Sequence, residues 1–218
     1  MMNTSNNSDG KYLVRVMKDT ANSKGPPLCI PVFSPNPVLL RPVATQPDFL
    51  DAKDISCLTK WRNRFVRSFL TEFEANEKQT SDWLVNLVGP GDTKILFMVD
   101  DLFGRTFGYM GLDFIDWEKA SGEADAVVRG AEAPRGIMSL TLRTMLIWAR
   151  RQLGLNTLGV RVLSDNTALE FYRKSGFHEI RRIPLRRVEE KNKICWVEDI
   201  SVQSSERSLV HMLWLPAE

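Results

Sequence analysis

The stretch VLSDNTALEFYRKSGF, residues 162–177, dictates more local structure than any other part of the chain. Val160, Val162 and their neighbours form an extended apolar segment. Asp165 or Asn166 then offers a side-chain oxygen to the orphan amides of a short helix, and Gly176 supplies its left-handed exit. Leu169 and Tyr172 lie three apart and share one face of that helix. A strand, a capped helix and a stop in so few residues fix one phenol, that of Tyr172, close to a strand end.

The chain has 218 residues, of which 43% are hydrophobic, enough for one well-filled core plus an extension. Its net charge of +2 gives no broad field to gather nucleic acid or an anionic membrane, so any anion site must be local. No nucleic-acid-binding motif is present. Cys29, Cys57 and Cys195 are odd in number, far apart and match no metal-ligand spacing, so no metal is expected. The opening MMNTSNNSDG has no apolar h-region, and a reducing cytoplasm is the expected compartment. The apolar run around residues 137–149 is broken by Arg143, so no segment is expected to cross a membrane. With only His178 and His211 and no Gly-x-Ser-x-Gly elbow, a hydrolase triad has no support.

Along the chain, residues 1–10 read as a polar tail. Residues 12–17 alternate as a strand does, and with LCIPVF they suggest a hairpin across the turn-rich DTANSKGPP. The prolines at 31, 35 and 37 close this extension, giving residues 1–37 as an added piece and 38–218 as the main domain. Ile55, Leu58, Trp61 or Arg62, Phe65 and Phe69 recur at helical spacing. A second short helix is predicted over 80–88, capped by Thr80 or Ser81 and ended by Gly89, Pro90 and Gly91. Three extended segments, near 94–100, 105–116 and 122–130, read as a meander, and Glu123 and Asp125 fall on one face of the third. Met138, Leu142, Met145 and Ala149 stripe the longest helix, which stops at Gly154. EIRRIPLRRVEE, KICWVEDISV and SLVHMLWLP follow as extended arms. The whole is mixed α/β.

The pattern of strand, Asn166, Phe171-Tyr172, Gly176-Phe177 resembles the GNAT superfamily of acetyl-CoA-dependent N-acyltransferases, and the element order is similar from residue 38 onward. The resemblance implies a mainly antiparallel sheet flanked by helices, whose two central strands, here 124–129 and 158–163, splay to admit the pantetheine arm. It implies acetyl-CoA as co-substrate, with the pyrophosphate at the helix start in RGAEAPRGIMSL. There Gly136, Ile137, Met138 and Ser139 offer backbone amides or a hydroxyl, and Arg135 adds charge. Ala133 replaces the family's basic or amide residue and Met138 a small one, so a crowded or slightly displaced pyrophosphate is expected, with Arg129 standing in for the missing donor.

Direct transfer needs an oxyanion donor, a base and an acid. The resemblance puts the donor at a backbone amide near Val127 or Val128 and assigns Asn166 to the cofactor arm. Tyr172 is the expected acid for the departing thiolate. Glu123 or Asp125 is the expected base, with Asp113 and Asp116 as rivals. Trp61, Arg62 and Asp113 are the expected acceptor contacts. The pattern VVRG, a short polar loop, GIM and an apolar helix ending IWAR resembles acetyltransferases that act on nucleotide-linked amino sugars in surface-glycan synthesis, which implies such an acceptor, and the arginines of WRNRFVR and RRIPLRR agree with it. The alternatives are a protein N-terminus, a peptide or a polyamine, the last favouring an acidic pocket, or a non-catalytic acyl-CoA-binding module. A homodimer is expected, through the N-terminal hairpin and LVHMLWLP.

Overall fold

The computed structural model describes residues 4–202 and 204–215, and the side chains from residue 8 onward. Five helices, α1 (Thr4–Ala21), α2 (Ala52–Arg64), α3 (Glu77–Trp83), α4 (Ile137–Gln152) and α5 (Ala168–Lys174), flank a ten-stranded sheet. The strands are β1 (Ile30–Val32), β2 (Val38–Pro42), β3 (Thr71–Glu72), β4 (Ile95–Asp101), β5 (Thr106–Asp116), β6 (Ser121–Arg129), β7 (Thr157–Leu163), β8 (Phe177–Glu190), β9 (Lys193–Glu198) and β10 (Ser208–Trp214). Their order is β1-β2-β4-β5-β6-β7-β10-β8-β9-β3, and every pairing is antiparallel except β6 with β7. The expected mixed, mainly antiparallel sheet is thus present.

Two apolar layers cover the two sheet faces. On one, Val14 and Met17 of α1, Leu142, Met145 and Ala149 of α4, and Leu169 and Tyr172 of α5 pack on Phe97, Leu112, Ala124, Val160 and Met212. On the other, Ile55, Leu58 and Trp61 of α2 meet Leu96, Met98, Tyr109 and Val128. β4 is therefore apolar on both faces and buried along nearly its whole length, which explains its near-continuous hydrophobic run.

The expected hairpin between residues 12–17 and LCIPVF is corrected: residues 12–17 lie inside α1, and β1 instead pairs with β2, Val32 opposite Val38. The expected polar tail is helical from Thr4, and residues 1–3 lie outside the described residues. Leu13, Val14 and Met17 also satisfy helical spacing, and Gly10 lets α1 cross α4 closely, since a Cβ there would lie 2.4 Å from the Leu153 carbonyl oxygen. Lys18 finishes the docking: its Nζ donates to the carbonyls of Val88, Gly89 and Gly91 at 2.7, 3.2 and 3.1 Å. These belong to a π-helical turn, Leu84–Val88, that continues α3, and to the residues after it. α3 begins earlier than expected, at a reciprocal cap between Asn76 and Gln79, while Thr80 is buried against Thr59 at 2.6 Å. The C-terminal arms are not peripheral: β10 inserts between β7 and β8.

Candidate active site

β6 and β7 pair in parallel only from Ser121 opposite Thr157 to Ala124 opposite Val160. Beyond that point residues 125–129 have no partner on the β7 side, so the strands part within the expected pieces 124–129 and 158–163, although Ala124 and residues 158–160 remain paired. The departure coincides with a bulge. Ala126 adopts φ 53, and the β5 register shifts between Tyr109 opposite Val128 and Gly111 opposite Asp125. The extra residue reverses the alternation: Val127 turns toward the α4 layer and Val128 toward the α2 layer. A left-handed alanine is a strained choice, and bulges of this kind bend one strand away from its neighbour.

Around the parting, three of the expected residues come together on the α2 side of the sheet. Asp125, Glu123 and Asp113 share that face because Leu112 and Ala124 point to the other. Lys94, which the sequence reading did not single out, bridges two of them, with Nζ 2.6 Å from Asp113 Oδ2 and 3.4 Å from Asp125 Oδ2. Glu123 is engaged instead by Arg161 of β7, at 2.6 Å, and that guanidinium stacks 4.2 Å from the Phe114 ring centroid. Phe114 owes its position to a second left-handed bulge, φ 52, and remains half exposed. Asp116, the other rival base, faces solvent in the turn and is spent on Lys119 at 2.7 Å.

Burial pushes the Asp125 carboxyl above the usual carboxylate range, against the lowering pull of Lys94. The side chain nonetheless keeps 40% of its surface accessible, as expected for a group on the floor of a concavity. Burial opposes the charge on Lys94, but the two carboxylates outweigh it and hold its pKa above the ordinary lysine value. Tyr172 lies in the opposite layer, within range of the Asp125 charge. Its ring sits edge-on to Phe171 and Phe177 at 5.4 and 5.6 Å between centroids. Burial first, and then the Asp125 charge, push the phenol above its ordinary value, so it stays protonated at neutral pH. Among the described residues its hydroxyl has no hydrogen-bond partner, and it is not one of the fully enclosed unpartnered atoms.

The helix start lies beyond the parted strands. Gly136 caps α4 at φ 81, a left-handed conformation that costs glycine least, and no side chain fills the cap. A Cβ there would meet nothing within 4 Å, so the approach to the helix end is open. The Ile137 amide is taken by the Pro134 carbonyl at 3.1 Å, which leaves the next first-turn amides, of Met138 and Ser139, as the donors a helix start offers. The Met138 side chain is buried in the core, so it does not crowd that end as the sequence reading expected. Arg129 and Arg135 are exposed nearby in the chain. An open strand edge, an uncapped helix start and flanking arginines fit an acylated pantetheine with its pyrophosphate.

Other expected residues have structural partners. Asn166 stands just before Thr167, the N-cap of α5, its Oδ1 accepting from the Ala168 amide at 2.9 Å, while Asp165 pairs with Arg207. Trp61 is buried, stacked on Tyr109 at 6.2 Å and lying against Gly130. Arg62 donates to the Phe73 and Thr71 carbonyls at 2.7 and 2.9 Å and sits over the Phe73 ring. Neither Trp61 nor Arg62 presents a free face to an acceptor. The arginines of RRIPLRR are likewise engaged: Arg181 with His211, Arg182 with Glu179, Arg186 with Asp199 and Arg187 with Glu189.

No curated protein shows significant sequence similarity to the chain. Among solved structures, a spermidine N-acetyltransferase from Vibrio cholerae in complex with CoA and spermine is similar, with 17% identity and a TM-score of 0.61 over 81% of this chain and 94% of that one. A probable GNAT-family acetyltransferase from Chromobacterium violaceum gives 17% identity and 0.61 over 87% and 88%. The same Vibrio cholerae enzyme in a dodecameric intermediate state gives 19% and 0.57 over 82% and 93%. At such identities the likeness speaks for the fold. The family model described as an acetyltransferase (GNAT) domain matches residues 38–178, more than half of the sequence, and so the chain belongs to the GNAT family and is an acetyl-CoA-dependent N-acetyltransferase.

Proposed function

We propose that the acceptor is a small primary amine that carries further positive charge, a polyamine or a close relative of one. The observation that carries this reading is the excess of acid beside the parted strands, where the three carboxylates of Asp113, Glu123 and Asp125 face two cations, Lys94 and Arg161, while Arg62 and the arginines of β8 are engaged elsewhere. A nucleotide-linked sugar would need free cations for its diphosphate. Arg62 and the arginines of β8 are committed to carbonyls, carboxylates and His211, so the amino-sugar reading draws no support from them. The spermidine N-acetyltransferases that share this fold support the polyamine reading. Self-association also belongs to it, since one such relative is a dodecamer.

Acetyl-CoA supplies the thioester-activated acetyl group. In our reading the gap between β6 and β7 seats its pantetheine arm, Val127 or Val128 lends a backbone amide to the carbonyl oxygen, and the α4 start with Arg129 and Arg135 takes the pyrophosphate. Asp125 accepts the acceptor's proton, directly or through water. The neutral amine attacks, and the N–C bond forms as its nitrogen gives up a proton to Asp125; the C–S bond then breaks, the Tyr172 hydroxyl delivers a proton to the sulfur, and solvent takes the proton from Asp125 and reprotonates the phenolate. The burial that keeps Tyr172 protonated suits it to this task.

The test is release of free thiol from acetyl-CoA with a panel of polyamines, nucleotide-linked amino sugars and peptide N-termini. The expected result is turnover of polyamines with a KM that rises with ionic strength, because charge attraction is screened by salt. Turnover confined to the amino sugars or the peptides would refute the assignment.

A further inference from the structure

Lys94 is the residue immediately before β4, and the pairing of Ile95 with Leu112 sets it opposite Asp113. Its ammonium lies between the carboxylates of Asp113 and Asp125, at 2.6 and 3.4 Å, with the Trp83 ring centroid 5.8 Å away. Only 16% of its side chain is accessible, so the bridge is shielded from competing ions. Asp113 also accepts from the Phe114 amide at 2.7 Å, which fixes that end of the bridge to the bulge. Two carboxylates on one ammonium form a strut from β5 through the start of β4 to β6, ending where β6 leaves β7. Without the ammonium they would face each other as like charges in a poorly solvated place, and one would take up a proton.

We propose that Lys94 is a positioning residue for acetyl transfer, holding Asp125 ionised and aimed into the gap by bridging it to Asp113. The inference rests on the reading of Asp125 as proton acceptor. Lys94 itself exchanges no proton: the acceptor nitrogen's proton goes to Asp125, and the sulfur's comes from Tyr172. The other charged or titratable groups facing the bridge are Lys18 of α1 with Asp92 beside it, Tyr109 of β5, Glu123 held by Arg161, and Tyr172 of α5. None of them spans the two carboxylates.

The experiment is the pH profile of kcat/KM, read as thiol release with one polyamine, for the full chain and for the variants Lys94→Met, Lys94→Arg, Asp113→Asn and Asp125→Asn. The acceptor's own ionisation is common to all of them and cancels in the comparison. Lys94→Met is expected to move the acidic limb up by about one pH unit or more, the size of a lost opposite charge at this range, with KM for acetyl-CoA unchanged. Lys94→Arg is expected to return the limb to its wild-type place. Asp113→Asn removes a like charge and frees the ammonium for Asp125, so its limb moves the other way, which keeps the test open should Lys94→Met fail to fold. An inactive Asp125→Asn beside unmoved limbs in the Lys94 and Asp113 variants overturns the positioning role. An Asp125→Asn enzyme that keeps wild-type rate overturns the proton-acceptor reading first, and the two failures are thereby told apart.

Discussion

Replacing Tyr172 by phenylalanine removes one oxygen from the apolar layer that seats α5 and leaves the ring contacts with Phe171 and Phe177 in place. Because that hydroxyl has no protein partner among the described residues, its loss forfeits no hydrogen bond, and taking a polar atom out of a buried setting is neutral or favourable by up to about 1 kcal/mol. For a chain of this size that is a rise in Tm of no more than roughly 2–4 °C. The rate behaves oppositely. The phenol stays protonated across the neutral range and is the proton donor in our scheme; losing a general acid slows turnover by about 10²–10⁴-fold. The assay pairs steady-state thiol release at saturating acetyl-CoA with a thermal melt and a direct measurement of CoA binding. The expected outcome is a large fall in kcat, unchanged CoA affinity and a Tm equal to or above wild type. A rate within threefold of wild type refutes the acid assignment, and a fall in Tm of several degrees refutes the claim that the hydroxyl is unpartnered.

Gly10→Ala is expected to destabilise the fold by about 1–3 kcal/mol, read by chemical denaturation, because its Cβ would meet the Leu153 carbonyl at 2.4 Å and push α1 off the end of α4. Asp125→Asn is expected to abolish turnover and yet to be at least as stable as wild type at neutral pH. The sign follows from burial: a carboxyl whose folded pKa is raised binds its proton more readily in the folded state, so its charged form costs stability above that pKa. The variant's advantage in Tm should shrink as pH falls toward the ordinary aspartate value of 3.8. An advantage that grows in acid contradicts this account.

How much of this was legible in the sequence depends on whether a residue's role is local. Asn166, Tyr172 and Gly176 announce a short helix from a few neighbours, and the structure puts the phenol and the left-handed exit there, with Asn166 bonding the Ala168 amide from one residue before the cap. Residues 12–17 carry two patterns, Tyr12, Val14 and Val16 at period two and Leu13, Val14 and Met17 at helical spacing, and only docking on the sheet and on α4 decides between them. Trp61 and Arg62 carry ligand-binding chemistry in their side chains, but segments arriving from elsewhere in the chain claim them: Gly130 and Tyr109 for the indole, Thr71 and Phe73 for the guanidinium. Lys94 could not be found by composition or spacing, since its meaning depends on the β4–β5 register and on a bulge in β6. The Asn76 and Gln79 cap, by contrast, is local and stands in the sequence as Asn-x-x-Gln, a stronger start signal than Thr80.

The place of β10 carries a consequence for synthesis. β7 is tied to β6 through only its first four residues, whereas β10 pairs with it from Gly159 to Leu163. A nascent polypeptide on the ribosome therefore carries β7 and β8 with bare flanks until residues 208–214 emerge, and bare strand flanks recruit other chains. The cleft-forming strand acquires its second support only from the last strand to be translated among those described, so a polypeptide released before that point would leave the ribosome both inactive and prone to clump.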